Sequence, residues 1–196
     1  MSFKFYHEGL EGPLSESPTK LLIVLKEPHG ENWNCFWMKD EVHEMKKYTK
    51  RYFNVLGAFA CKILGESDKR EALKKCAFIN LYPYNGEATA NNGGFEMLMN
   101  EWKDASTPQK SELLKNRINI LKSALESNIS IMTLPVIAKQ IQKQFDLIKD
   151  DKGYTNNPTY YSYSCKNSDS KVYCICHPAY RRISYQKLGE DLGINI

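Results

Sequence analysis

The chain has 196 residues, of which 42% are apolar and 26% charged, and 27 Lys+Arg against 23 Asp+Glu leave a formal net charge of +4. Such a composition is that of an ordinary globular protein. It excludes collagen, coiled coil and disordered tail, and it allows an anionic ligand without requiring one. The longest apolar run, Leu21 to Leu25, falls far short of the ~20 residues of a membrane span, and the first twenty residues lack a basic-then-apolar secretory pattern. The expectation is a monomer in the cytoplasm, forming one domain over residues 1–196. In that compartment the six cysteines (Cys35, Cys61, Cys76, Cys165, Cys174, Cys176) stay reduced.

In chain order, Leu21-Leu22-Ile23-Val24-Leu25 reads as a strand buried on both faces, broken by Pro28 and Gly30. From Asp40 to Leu64, Met45, Tyr48, Tyr52, Val55, Phe59 and Ile63 fall three or four apart, which predicts a helix with one apolar face, stopped by Gly65. Cys76 to Leu81 is a second apolar run, closed by Pro83. Thr107-Pro108 predicts a helix start, with Leu114, Ile118, Leu121 and Leu125 on its inner face. Ile129 to Leu134 is a third strand run. Pro135 then opens a helix carrying Ile137, Ile141, Phe145 and Ile148. Residues 153–170, rich in Tyr, Asn, Ser and Thr, read as a long loop or irregular hairpin. Val172 to Cys176 is a fourth strand, stopped by His177-Pro178, and residues 183–192 read as a short terminal helix.

Buried runs alternating with amphipathic helices predict an α/β fold: a three-layer α/β/α sandwich around a four-stranded, mainly parallel sheet. Ligands of such sheets bind beyond the carboxyl ends of the strands, where the chain order reverses. Three chemically apt residues follow or end strands there. Glu27 is either a carboxylate capping the next turn or a general base. Asn80 is a polar amide in an apolar run, bonded either to nearby backbone or to the edge of a planar ligand. His177 is either a structural imidazole or a donor to a developing oxyanion. Trp33 and Phe36 lie in an aromatic loop able to pack as a lid or to wall a flat ligand, and Tyr160, Tyr161 and Tyr163 carry the same two readings. The pair Cys174 and Cys176, on one face if the strand is regular, lacks two further metal ligands at matching spacing, so neither metal nor cofactor is expected.

Three pieces in order resemble the uracil-DNA glycosylase superfamily: LLIVLKEPHG (21–30), AFIN (77–80) and ICHPA (175–179). The resemblance implies a uracil-DNA glycosylase-like fold and cleavage of the N-glycosidic bond of a uracil-type or damaged base flipped out of DNA, as in DNA repair. It implies that Glu27 activates water, Asn80 bonds the extruded base and His177 stabilises the departing base. Pro28, Trp33, Phe36 and Pro178 would then line the base pocket, with Tyr180 as wedge and Arg181 and Arg182 near phosphates. Ala179 stands where the motif has Ser, and Lys26 where it has a small residue. The cysteine spacing differs from that of the iron–sulfur members, so no cluster is implied. The alternative on the same scaffold is a non-catalytic nucleic-acid or nucleotide binding domain.

Overall fold

The fold is taken from a computed structural model, which describes residues 19–26, 47–82, 93–106, 109–150, 160–176, 189–190 and 193. Its elements run β1 (Leu21–Leu25), α1 (Lys47–Leu64), α2 (Lys69–Lys74), β2 (Cys76–Asn80), α3 (Gly94–Lys103), α4 (Glu112–Glu126), β3 (Ser130–Thr133), α5 (Pro135–Gln144), β4 (Ile148–Lys149), β5 (Tyr161–Ser164) and β6 (Lys171–Cys174). The strands form one sheet in the order β2-β1-β3-β6-β5-β4. β1 pairs in parallel with both β2 and β3, and β3 with β6. β5 runs antiparallel to β6 and to β4.

The strand β1 has no solvent face, which is why its five residues are uniformly apolar. Leu21, Ile23 and Leu25 pack with Phe59, Leu56 and Ala72 of α1 and α2. Leu22 and Val24 point the other way and pack with residues of α3, α4 and α5, among them Leu98, Leu121 and Ile137. Helices therefore cover both faces. The polar residue in the middle of this core, Thr133, is fully buried and donates its Oγ1 hydrogen to the carbonyl of Val24 at 2.8 Å, which removes the cost of burying a hydroxyl.

Helix ends follow their local chemistry. Gly65 at φ +70° ends α1, and the amide of Glu66 bonds back to the carbonyl of Cys61 at 3.0 Å. Asp68 caps α2 by accepting from the amides of Arg70 and Glu71. At Gly57 the two helices come so close that an added Cβ would stand 2.8 Å from Cβ of Lys69.

Several expectations need correction. The sheet is mixed and has six strands, whereas four, mainly parallel, were expected; the four expected strands are the parallel part, β2-β1-β3-β6. The added strand β5 lies in the stretch read as a long loop or irregular hairpin, and it pairs antiparallel with β6. It alternates Tyr161 and Tyr163, which contact the α3–α5 core, with Ser162 and Ser164, which bond the carboxylate of Asp150 from the other side. Two hydroxyls facing a carboxylate hide a strand from a search for apolar runs. The strand β6 stops at Cys174, two residues early. The helix expected from Thr107 begins instead after Ser111, whose Oγ accepts from the amide of Leu114 and whose own hydroxyl donates to Glu101 at 2.8 Å; Thr107 and Pro108 lie outside the described residues. Ile148 is not on the inner face of α5 but in β4, 55% exposed, because α5 ends at Gln144 and Asp146 adopts φ 49°. Helices α2 and α3 were not anticipated. Of the expected terminal helix, residues 189 and 190 are helical and 193 is a turn; the remainder lies outside the described residues.

Candidate functional site

The chain leaves β1 toward β2 on one side and returns past β1 to build β3 and β6 on the other. The chain order thus reverses at the β1/β3 boundary, and the carboxyl ends there form the crevice where ligands of open α/β sheets bind. Ile79, Val24, Thr133 and Cys174 stand side by side across the four parallel strands. Asn80 is one residue beyond this row, and Lys26 and Cys176 are each two residues beyond it. The ladder continues past the strands, with the amide of Leu81 bonded to the carbonyl of Leu25, that of Tyr82 to Lys26, and that of Ile175 to Thr133. β1 and β6 are two strand spacings apart, about 10 Å.

Asn80 pairs with Leu25 and ends β2. Cys76 and Phe78 face α1, and the two-residue period puts Asn80 on the same side. Its side-chain oxygen is buried and has no hydrogen-bond partner among the described residues. Among the described residues, no neighbouring backbone N–H reaches that oxygen. An unpaired buried carbonyl costs about 1–3 kcal/mol, and here it stands at the edge where a ligand is expected.

Lys26 projects on the opposite side of β1 from Leu25, and its Nζ lies 5.0 Å from the ring centroid of Phe95 in α3. Near the end of β6, Cys176 is buried, and its Sγ is 3.1 Å from the hydroxyl of Tyr160, whose ring tilts against Phe59 at 5.1 Å. This settles Tyr160 as packing rather than an open stacking wall. Tyr161 and Tyr163 likewise meet each other edge-on at 5.5 Å.

The thiols Cys174 and Cys176 do not share a face. Cys174 belongs to the core on the α3–α5 side and Cys176 to that on the α1 side, because the strand geometry ends at Cys174. That corrects the same-face expectation. Burial pushes the Cys174 thiol up to about 11, so it is protonated at neutral pH; the nearby Tyr161 hydroxyl works against the shift. Burial also raises the Cys76 thiol. No group of three or more metal-ligating side chains occurs among the described residues.

Of the catalytic, base-pocket and DNA-contact side chains that the motif resemblance implies, Asn80 alone is described. Glu27, Pro28, Trp33, Phe36, His177, Pro178, Tyr180, Arg181 and Arg182 lie outside the described residues. The structure does place their chain neighbours: Lys26 precedes Glu27 and Cys176 precedes His177, both at the carboxyl edge. Lys26 itself stands out in the sequence only as a departure from the small residue of the motif; its position directly after an all-apolar strand is the signal that could have found it.

At the opposite, amino-terminal edge lies a cavity of about 550 Å³ between α4, the α5–β4 turn and the β5–β6 turn. Its two lysines are already ion-paired, Lys122 with Glu126 and Lys166 with Asp146. It offers no unpaired charge, and it is not at the switch point.

No helix among the described residues is long and apolar enough to cross a membrane. Compared with models of protein families, with curated proteins and with solved structures, the chain matches none.

Proposed function

We propose that the chain is a DNA glycosylase-like hydrolase of the uracil-DNA glycosylase type, built on a three-layer sandwich, with its site at the carboxyl edge of β2, β1, β3 and β6. The observation that carries the reading is the unpaired buried oxygen of Asn80 at the switch-point edge. A base presenting an N–H at its edge supplies the missing donor, and the resemblance of residues 77–80 assigns Asn80 that role. Chain continuity supports the rest: Glu27 follows Lys26, and His177 follows Cys176, at the carboxyl ends of the two strands that flank β3.

In this reading a water oxygen attacks the anomeric carbon as the bond to the base nitrogen breaks. Glu27 takes a proton from the water and stabilises the cationic sugar. His177 donates a hydrogen bond to the base as it leaves with the bonding electron pair. The hydroxyl ends on the sugar, the proton reaches the base, and an abasic site remains. The base reaches the edge only by leaving the helical stack.

The test is incubation with single- and double-stranded oligonucleotides carrying uracil or other damaged bases, followed by hot alkali to break abasic sites. Cleavage is expected in the parent. Glu27→Gln and His177→Ala should slow it about 100- to 1000-fold with DNA binding retained, because their contributions grow with transition-state charge. Asn80→Ala should also relax the choice of base. A parent that binds oligonucleotides but leaves every base in place assigns the edge to a non-catalytic binding domain instead.

A further inference from the structure

Five lysines among the described residues are half-buried: Lys26, Lys69, Lys75, Lys110 and Lys171. Four of them reach an oxygen. Lys69 donates to the Asn54 side chain at 3.4 Å, Lys75 to Glu66, Lys110 to the Glu101 carbonyl at 3.2 Å and Lys171 to Asp150 at 3.4 Å. This is the expected pattern, since an ammonium partly removed from water needs acceptors to replace its hydration. Lys26 departs from it. Its one contact among the described residues is the face of Phe95, which attracts the charge but accepts none of its three N–H groups through an oxygen. The ring holds the ammonium in place, and no oxygen among the described residues takes its N–H groups.

Its location gives those N–H groups a use. Lys26 directly follows β1 at the β1/β3 switch point, and its carbonyl is tied to Tyr82, so the backbone that carries it continues the ladder of the sheet. On the adjacent strand, one residue nearer the sheet, is Asn80 with its unpaired acceptor. The two lie on opposite faces of the sheet. A ligand that satisfies both therefore reaches across the end of β1, with an N–H on the α1 side and an anionic group on the α3 side.

We propose that Lys26 is a phosphate-binding residue, so that this edge takes its base as a phosphorylated nucleotide and not as a free base or nucleoside. The inference rests on the reading of the carboxyl edge as the base site. It adds a contact that the motif resemblance does not supply, since the motif has a small residue at that position. The phosphate comes either from a nucleic-acid strand or from a free nucleotide.

The experiment measures binding of a uracil-containing oligonucleotide, of uridine 5′-monophosphate and of uridine to the full chain and to Lys26→Met, Lys26→Gln and Lys26→Arg. Met keeps an unbranched apolar side chain without the charge, and Gln provides a second uncharged variant should Met fold poorly. The parent is expected to bind the monophosphate at least ten-fold more tightly than uridine. The slope of log affinity against log salt for the oligonucleotide should fall by about 1 in Lys26→Met and Lys26→Gln and be restored in Lys26→Arg, as for the loss of one phosphate contact. Oligonucleotide binding no tighter than that of the monophosphate, with the Lys26 effect kept, assigns the phosphate to a free nucleotide. Equal parent affinity for monophosphate and nucleoside, or an unchanged salt slope in both uncharged variants, overturns the proposal. Base release is scored separately in the same samples. A parent that shows the Lys26 effect and releases no base rejects the hydrolase and keeps the phosphate site, whereas release with an unchanged slope does the reverse.

Discussion

The oxygen of Asn80 invites a stability measurement whose sign separates a functional residue from a structural one. A buried carbonyl without a donor costs about 1–3 kcal/mol, and removing it together with its polarity recovers that cost. Asn80 as a whole is half-buried, so the lower part of that range applies. Valine at this position removes both polar ends of the amide, suits the end of a strand, and faces the α1 side that Cys76 and Phe78 already share. Asn80→Val is therefore expected to stabilise the chain by about 1–2 kcal/mol. For a chain of this length that raises Tm by roughly 2–8 °C. Asn80→Ala should gain less, because it also leaves a void. Thermal and urea unfolding of the three proteins, read beside oligonucleotide cleavage and binding, gives the answer. A gain in stability with loss of base recognition is the signature of a residue kept for function at a cost to the fold. Destabilisation of Asn80→Val by more than about 1 kcal/mol would show that the amide holds the structure together, and the reasoning from its unpaired oxygen would be refuted.

Other expectations concern the frame around the edge. At Asp150, burial works to raise the carboxyl, but the hydroxyls of Ser162 and Ser164 and the ammonium of Lys171 outweigh it and hold it below its ordinary value. Its contribution is therefore present above the ordinary carboxylate range and lost as pH falls through the depressed value. Asp150→Asn should be less stable at pH 7 and lose less on acidification below about pH 4, as urea midpoints across pH would record. Cys165 is half-exposed whereas Cys76 and Cys174 are buried with raised thiols, so at pH 8 iodoacetamide should label Cys165 first and reach the other two only in denaturant. Peptide masses showing Cys174 labelled as fast as Cys165 would contradict the burial argument. Gly65→Ala should lower stability by about 1 kcal/mol, seen as a fall in Tm, because nothing stands within 4 Å of the new Cβ and the cost is the left-handed φ alone. Gly94→Ala acts by collision instead: its Cβ would lie 1.9 Å from Cζ of Tyr82, so the ring must move, and Tyr82 fluorescence and stability should both change.

The parallel part of this protein was legible in the order of its residues because burial on both faces leaves no choice of residue type. Leu21 to Leu25, Cys76 to Ile79 and Ile131 to Met132 are apolar since each alternate side chain meets helices on its own side of the sheet. The stop of α1 at Gly65 and the start of α5 at Pro135 were legible for a different reason: the backbone at those points demands a particular residue. What remained hidden was whatever depends on a partner distant in the chain. Ser162 and Ser164 make a strand because Asp150, a dozen residues back, accepts their hydroxyls, and no local pattern records that carboxylate. Cys174 and Cys176 part to opposite cores because β6 ends where β3 does, a limit set by the neighbouring strand. The sequence marked Asn80 as polar in an apolar run and Lys26 only as a departure from the small residue of the motif it resembles. That, among the described residues, the first has no donor and the second no oxygen was decided by packing, since a residue's partners become visible only once elements distant in the chain are brought beside it.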